Sequence, residues 1–322
     1  VSTLLHGPRR VDIRLHRTAL LTGGTVLLTA LAFTGWLRWA AHAYPEPVGR
    51  CASNGTCDTF LGFTSARDML YISMDKGSLG MLLLPALIGA FVAGPLIGRE
   101  MESGVYKLSW TQSVSPACWL ASKLTTAVAL AVGGTLFLMA VLQLGTGNAL
   151  GDRTNFHWAD RGIYEATGPV LLAYGLLGVA VGAAVGLLVR RTLLAASLTT
   201  LVTGGVLLLC GNVRWGLFPT RTITAPAPSR DWWLDVPQPF DYFAVDQGVT
   251  NAAGDRFIAR HCLPKPLSGY SCPTDTKVTG AFMDYHPKSH FWYVQLIETG
   301  IILALAAAAT YAAFRILRRR AA

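Results

Sequence analysis

Charge is what this sequence has least of. Asp, Glu, Lys and Arg make up 14% of its 322 residues, where a water-soluble chain carries about 25%. With 52% hydrophobic residues and a mean hydropathy of +0.41, that shortage excludes an ordinary soluble domain, a disordered chain and a low-complexity fibre. Catalytic signatures are missing as well. There is no G-x-x-x-x-G-K-[ST] phosphate loop, no Gly-rich nucleotide fingerprint, no G-x-S-x-G and no H-E-x-x-H, so the corresponding nucleotide and hydrolytic chemistries have no anchor here. The six cysteines lack the close CxxC or His spacing of a zinc site. No pair of acids falls inside an apolar run, and no three-plus-three repeat is visible, which argues against an ion-coupled carrier. No metal and no cofactor of its own is expected for this chain.

What is present is length without charge. Ala19–Leu37, Leu79–Gly98, Leu124–Leu150, Ala166–Val189 and Thr192–Val213 contain no ionisable Asp, Glu, Lys or Arg, and Phe291–Phe314 contains only Glu298. About 20 apolar residues in a helix cross a ~30 Å hydrocarbon layer. The expectation is therefore an all-α integral membrane protein with six transmembrane helices. The first run is too long for a signal-peptide core, and Trp36-Leu37-Arg38-Trp39 is a poor cleavage site, so it reads as a retained helix.

Orientation follows from the basic residues. With both termini cytosolic, the inside segments 1–18, 99–123, 190–191 and 315–322 carry 13 of the 27 Lys and Arg on 53 residues, and the other 14 are spread over the much longer outside segments. The formal net charge of +9 then faces the anionic inner leaflet, and nucleic acid is not needed to explain it. The domain reading is a cytosolic interfacial segment 1–18, helices one to five over 19–213, an extracellular subdomain 214–290, and a last helix with a basic tail over 291–322. Cys51 and Cys57 fall in the first outside loop around the turn dipeptide Asn54-Gly55; Cys262 and Cys272 fall in the last one. An oxidising exterior favours the bridges Cys51–Cys57 and Cys262–Cys272, with four free thiols as the alternative. Cys118 and Cys210 read as small packing residues.

Individual positions stand out. Asp58–Lys76 reads as an amphipathic surface helix. Pro85 and Pro95 predict a bent or broken second span. Gly178, Gly182 and Gly186 recur every fourth residue and predict close helix packing, within the subunit rather than across a dimer seam. Glu298, after Gln295, is a carboxylate inside a span; it predicts either a functional group or a hydrogen bond fixing the last helix to the bundle. His286 and His290 are four apart, but Pro287 between them argues against one regular helix presenting both. The aromatics of the 214–290 segment suit a subdomain resting on the membrane face.

The loop after the second span carries most information: Gly98-Arg99-Glu100-Met101-Glu102-Ser103-Gly104, then Trp110-Thr111-Gln112-Ser113-Val114-Ser115, then Trp119 through Lys123. This R-E-x-E-x-G, W-T-Q-S-V-S and W-x-x-x-K series resembles the actinobacterial branch of the ABC-2 type transporter permeases. The approach to the last helix, Tyr285-His286-Pro287-Lys288-Ser289-His290-Phe291-Trp292 with Gln295-Leu296-Ile297-Glu298, is similar to that family too. The resemblance implies a non-catalytic permease subunit of an ABC exporter, paired with a second permease copy or homologue among membrane lipids in a bacterial cell membrane. A partner ABC ATPase subunit would bind ATP and Mg. It further implies that segment 99–116 is a coupling loop, with Arg99, Glu100, Glu102, Gly104, Trp110, Thr111 and Gln112 shaping the ATPase contact, and that Val11–Thr18 is an interfacial helix. Pro116-Ala117 departs from the basic residues found there in relatives. The cargo class implied is an amphipathic or lipidic compound, a peptide or an antibiotic. The alternative is a non-transporting, ATPase-driven membrane device whose external subdomain senses or acts on a partner.

Overall fold

The computed structural model describes residues 17–44, 61, 63, 65–104, 106, 115–147, 156–226, 239, 241–258, 263–265, 269–271 and 278–321. Cys51, Cys57, Cys262, Cys272, Trp110, Thr111, Gln112 and Val11–His16 lie outside them. The described helices are α1 (Arg17–Ala43), α2 (Ala66–Met81), α3 (Leu84–Leu87), a π-helical turn (Ile88–Ala93), α4 (Gly94–Ser103), α5 (Pro116–Thr146), α6 (Ile163–Thr167), α7 (Val170–Val189), α8 (Thr192–Val213) and α9 (Phe291–Ala321). Five segments among the described residues are long and apolar enough to cross a membrane: Leu84–Ser103, Pro116–Thr146, Val170–Val189, Thr192–Gly216 and Lys288–Arg320.

The chain divides into two units. One holds α1 to α8 up to Gly211 and α9 from Glu298; the other holds His157–Ala159 and Asn212–Ile297.

In the helical unit, α7 is the central element. Gly and Ala supply eight of its twenty residues, and Leu171, Ala173, Tyr174, Val179, Ala183 and Leu187 are all buried. The second span is broken as its prolines require. Pro85 sits in the first turn of α3 and Pro95 in that of α4, where a missing N–H costs nothing. Between them the backbone widens into the π turn. The apolar run from Leu79 is consequently divided: Leu79–Met81 finish α2, and the spanning piece starts at Leu84 and runs on to Ser103. α2 begins at Ser65, whose side chain accepts from the Asp68 N–H at 3.1 Å. It buries Ala66, Leu70, Met74, Ser78 and Met81 along one face. That face packs into a cluster with Leu37 and Ala41 of α1, Leu142 of α5 and Leu171 of α7, so the amphipathic helix belongs to the bundle and does not merely rest on a surface.

The second unit is β-sheet, which the all-helical expectation leaves out. Four antiparallel strands, β1 (Arg221–Pro226), β2 (Tyr242–Asn251), β3 (Arg256–Ile258) and β6 (Val278–Pro287), lie in the order β1-β6-β2-β3; β4 (Leu263–Lys265) and β5 (Gly269–Ser271) form a separate hairpin. Alternation decides it. On β6, Ala281, Met283 and Tyr285 share one face and pack against Ile223, Ala225 and Tyr242. On the other face Arg256 lies 3.9 Å over the Phe282 ring and gives its Nη2 to both oxygens of Asp284, at 2.7 and 2.8 Å.

Candidate functional site

The motif loop begins where α4 ends. Gly104 has φ of +75°, the left-handed conformation that closes a helix and that glycine adopts without strain. One turn earlier stand the two acids. Two residues along a helix are about 200° of rotation, so Glu100 and Glu102 leave α4 in opposite directions. Each finds a partner on a different helix.

Glu100 reaches α5. Its Oε2 accepts the Trp119 indole N–H at 2.9 Å and its Oε1 accepts the Lys123 ammonium at 2.6 Å. Trp119 and Lys123 are four residues apart and so share one face of α5. Ser115 caps that helix by accepting the Cys118 N–H at 3.3 Å, and Pro116 occupies its first turn. Trp119 is 5% exposed and the Lys123 side chain 7%, against 21% for that of Glu100. The ammonium thus sits almost out of water, with this carboxylate bonded to it.

Glu102 reaches α8. Its Oε2 accepts both the Thr192 backbone N–H at 3.1 Å and the Thr192 hydroxyl at 2.6 Å. Thr192 is the first residue of α8, where unpaired N–H groups and the helix dipole favour an anion. The same end of the bundle is closed by Arg320 of α9, whose guanidinium donates to the carbonyls of Leu187 and Leu188 in the last turn of α7. Arg190 follows in the left-handed region at φ +54° and turns the chain into α8. Below this polar layer Ile97 and Met101 of α4, Trp119 and Leu120 of α5, Ala183 and Leu187 of α7 and Ala313 and Leu317 of α9 form one apolar cluster. α4, α5, α7, α8 and α9 are therefore tied together where the motif loop attaches.

Two further contacts set the interior. Gly178, Gly182 and Gly186 face the broken second span. A methyl added at Gly182 would lie 2.6 Å from the Gly89 carbonyl oxygen, one at Gly186 would lie 3.2 Å from that of Gly94, and one at Gly178 would overlap the carbonyl of Pro85. Only glycine permits that approach. Glu298, 1% exposed, accepts the Tyr174 hydroxyl at 2.8 Å, from α9 to α7. Gln295 is fully buried.

Of the residues singled out in the motif, Glu100 and Glu102 bind their own chain, Gly104 ends α4, and Arg99 is exposed. Trp119, Lys123, Thr192 and Arg320 complete the arrangement, and sequence reasoning did not assign them. The one available signal was the W-x-x-x-K spacing at the start of α5, which puts an indole N–H and an ammonium on one helix face. Cys118 and Cys210 are free thiols; Cys118 is exposed on the first turn of α5, away from the packing role expected of it. Among the described residues no group of three or more His, Cys, Asp and Glu is placed to hold a metal ion.

Residues 22–214 match the family model described as ABC-2 membrane transporter related. That is 193 of 322 residues. The chain belongs to that family and is a multi-pass membrane protein. The match runs from within α1 through α8 and takes in the whole motif loop. No curated protein and no solved structure matches it.

Proposed function

We propose that this chain is the permease subunit of an ATP-driven exporter, pairing with a second permease to form the pathway and taking its work from a separate ABC ATPase. In this reading α1, which holds the uncharged run Ala19–Leu37, is the first of six spans and both termini are cytosolic. The cytosolic face is then the end that carries Gly104, Arg190, Arg191 and Arg320. Segment 99–116 meets the ATPase there, and the 214–290 subdomain is external. Amphipathic or lipidic compounds are the cargo class that fits a pathway lined by so few charges.

One observation carries this reading. The element beside the motif loop is bonded to two other helices by two acids pointing opposite ways. A push on the loop is thereby delivered to α5 and α8 together and reaches α7 through the glycine contact. A permease needs no catalytic residue for this. It needs two packings of similar energy and a partner that biases them. Glu100 and Glu102 accordingly act as the linkage behind the ATPase contact, and the contact surface falls to exposed groups such as Arg99.

The test is to co-express the chain with an ABC ATPase from the same genome that co-purifies with it and to reconstitute both in vesicles. Glu100→Ala is expected to leave the ATPase bound while cutting cargo-stimulated ATP turnover about tenfold. Arg99→Glu is expected to weaken co-purification instead. Normal coupling in Glu100→Ala, or ATP turnover by this chain alone, would remove the proposal.

A further inference from the structure

We infer that His286 and His290 form an acid-opened latch at the joint between β6 and α9. The two imidazoles meet although Pro287 keeps them off a common helix. β6 ends at Pro287, Lys288–His290 make a single 3-10 turn, and α9 starts at Phe291. This brings the two Nδ1 atoms to 3.1 Å, with His286 fully buried and His290 6% exposed.

The proton positions follow from the third partner. His286 Nε2 lies 3.0 Å from the Trp215 carbonyl oxygen. A carbonyl only accepts, so Nε2 carries hydrogen and the neutral ring presents its Nδ1 lone pair to His290. His290 Nδ1–H donates into it. A first added proton goes to His290 Nε2 and leaves that hydrogen bond in place, now charge-assisted. A second must go to His286 Nδ1, where it meets the N–H of His290 head on. The bond between the rings is then lost, and two positive rings stand in contact. The latch holds with no added proton or with one and opens with two.

The surroundings oppose charge on either ring. Trp215 lies tilted against Phe243, 4.3 Å between ring centroids, and 5.7 Å from His286. Phe218 lies 4.8 Å from His290 and is itself stacked on Tyr293 of α9. The charged group acting on His290 from β1 is Arg221, a like charge once the ring is protonated. Asp241 is taken by Lys288 at 2.8 Å and faces His157 at 3.7 Å. Unfolding the joint frees both rings to take protons, whereas the closed joint takes one. The closed joint therefore loses stability as acid drives the second proton onto the pair. The chemistry of the latch does not depend on the export reading; only the compartment whose acidity it reports rests on the proposed topology.

The experiment uses the full chain in lipid nanodiscs with 15N-labelled histidine, titrated from pH 8 to pH 4 by NMR with His286→Gln and His290→Gln alongside. The wild type is expected to show the pair protonating in two steps more than about 1 pH unit apart, with a change in Trp215 fluorescence at the second step that Trp215→Phe removes. Each single variant is expected to leave one ordinary step. Two wild-type rings titrating at the same midpoint as in the single variants would overturn the latch. So would one equivalent of Zn²⁺ abolishing both steps reversibly with EDTA, which would make the pair a metal site. Should His286→Gln fail to fold, His290→Gln and the wild type still decide the outcome. Acidifying one side of sealed vesicles while following the same fluorescence reports the compartment separately: a response only to inside acid would fail the topology and leave the latch standing.

Discussion

α7 and α8 are adjacent, of similar length and almost equally apolar, yet most of α7 is buried and little of α8. Hydrophobicity does not sort the two, because lipid tails are as apolar as a protein core. Size sorts them. α7 spends every fourth position on Gly178, Gly182 and Gly186 and admits a neighbouring backbone; α8 shows Leu193, Leu201 and Leu209 on its outer side. In this bundle the interior is where side chains are small enough for carbonyls to approach, and the carboxylate of Glu298 is held there by the Tyr174 hydroxyl.

The sharpest way to break that comparison is to give α7 the surface of α8. Gly182→Leu is expected to abolish monodisperse protein in size-exclusion chromatography. Gly182→Ala, whose methyl meets the Gly89 carbonyl at 2.6 Å, is expected to cost about 1–3 kcal/mol, read as a lowered Tm in detergent. Next is Glu100→Ala, which takes the carboxylate away from the Lys123 ammonium where water scarcely reaches. A loss of about 3 kcal/mol is expected, with recovery of most of it in Glu100→Leu combined with Lys123→Met. Glu298→Ala removes the carboxylate acceptor of the Tyr174 hydroxyl and leaves it only the Cys210 thiol; it is expected to cost about 1–3 kcal/mol, and Glu298→Gln, which keeps an acceptor, should cost less. Glu102→Ala removes an exposed helix-terminal anion and is expected to cost no more than about 1 kcal/mol by thermal melt. At the far end, Leu201→Ala on α8 should lie within about 0.5 kcal/mol of wild type. A larger effect there would mean that α8 is covered by protein.

Much of the helical unit was legible in the sequence because charge is expensive in lipid and its absence is therefore countable. The run Thr192–Val213 is α8, end to end. Ends defined by other physics were displaced. α5 starts at Pro116, well before the uncharged run at Leu124, since a capping serine and a first-turn proline start a helix without regard to hydropathy. α9 runs through its basic tail to Ala321 because Arg320 has carbonyls to bind. The β-sheet was not legible. Its strands alternate only over short stretches such as 281–285, broken by prolines and glycines, and no absence of charge marks them. The site was legible as a motif but not as a geometry. R-E-x-E and W-x-x-x-K are separated by 19 to 23 residues, and only the folded chain shows that the first acid serves the second motif while the second acid serves Thr192. The histidine pair illustrates the same limit. Periodicity weighs helix faces, and the turn at Lys288–His290 brings two rings together without one.

The two acids of α4 also differ in how wet they are, and that sets how firmly each anchor holds. Glu100 grips a sheltered cation that dissolved ions scarcely screen, while Glu102 touches Thr192 in the open, where screening reaches it within about 10 Å at 0.1 M salt. The loop therefore hangs from one stiff mooring and one slack one, and the helix on the slack side should be the first to slip under load.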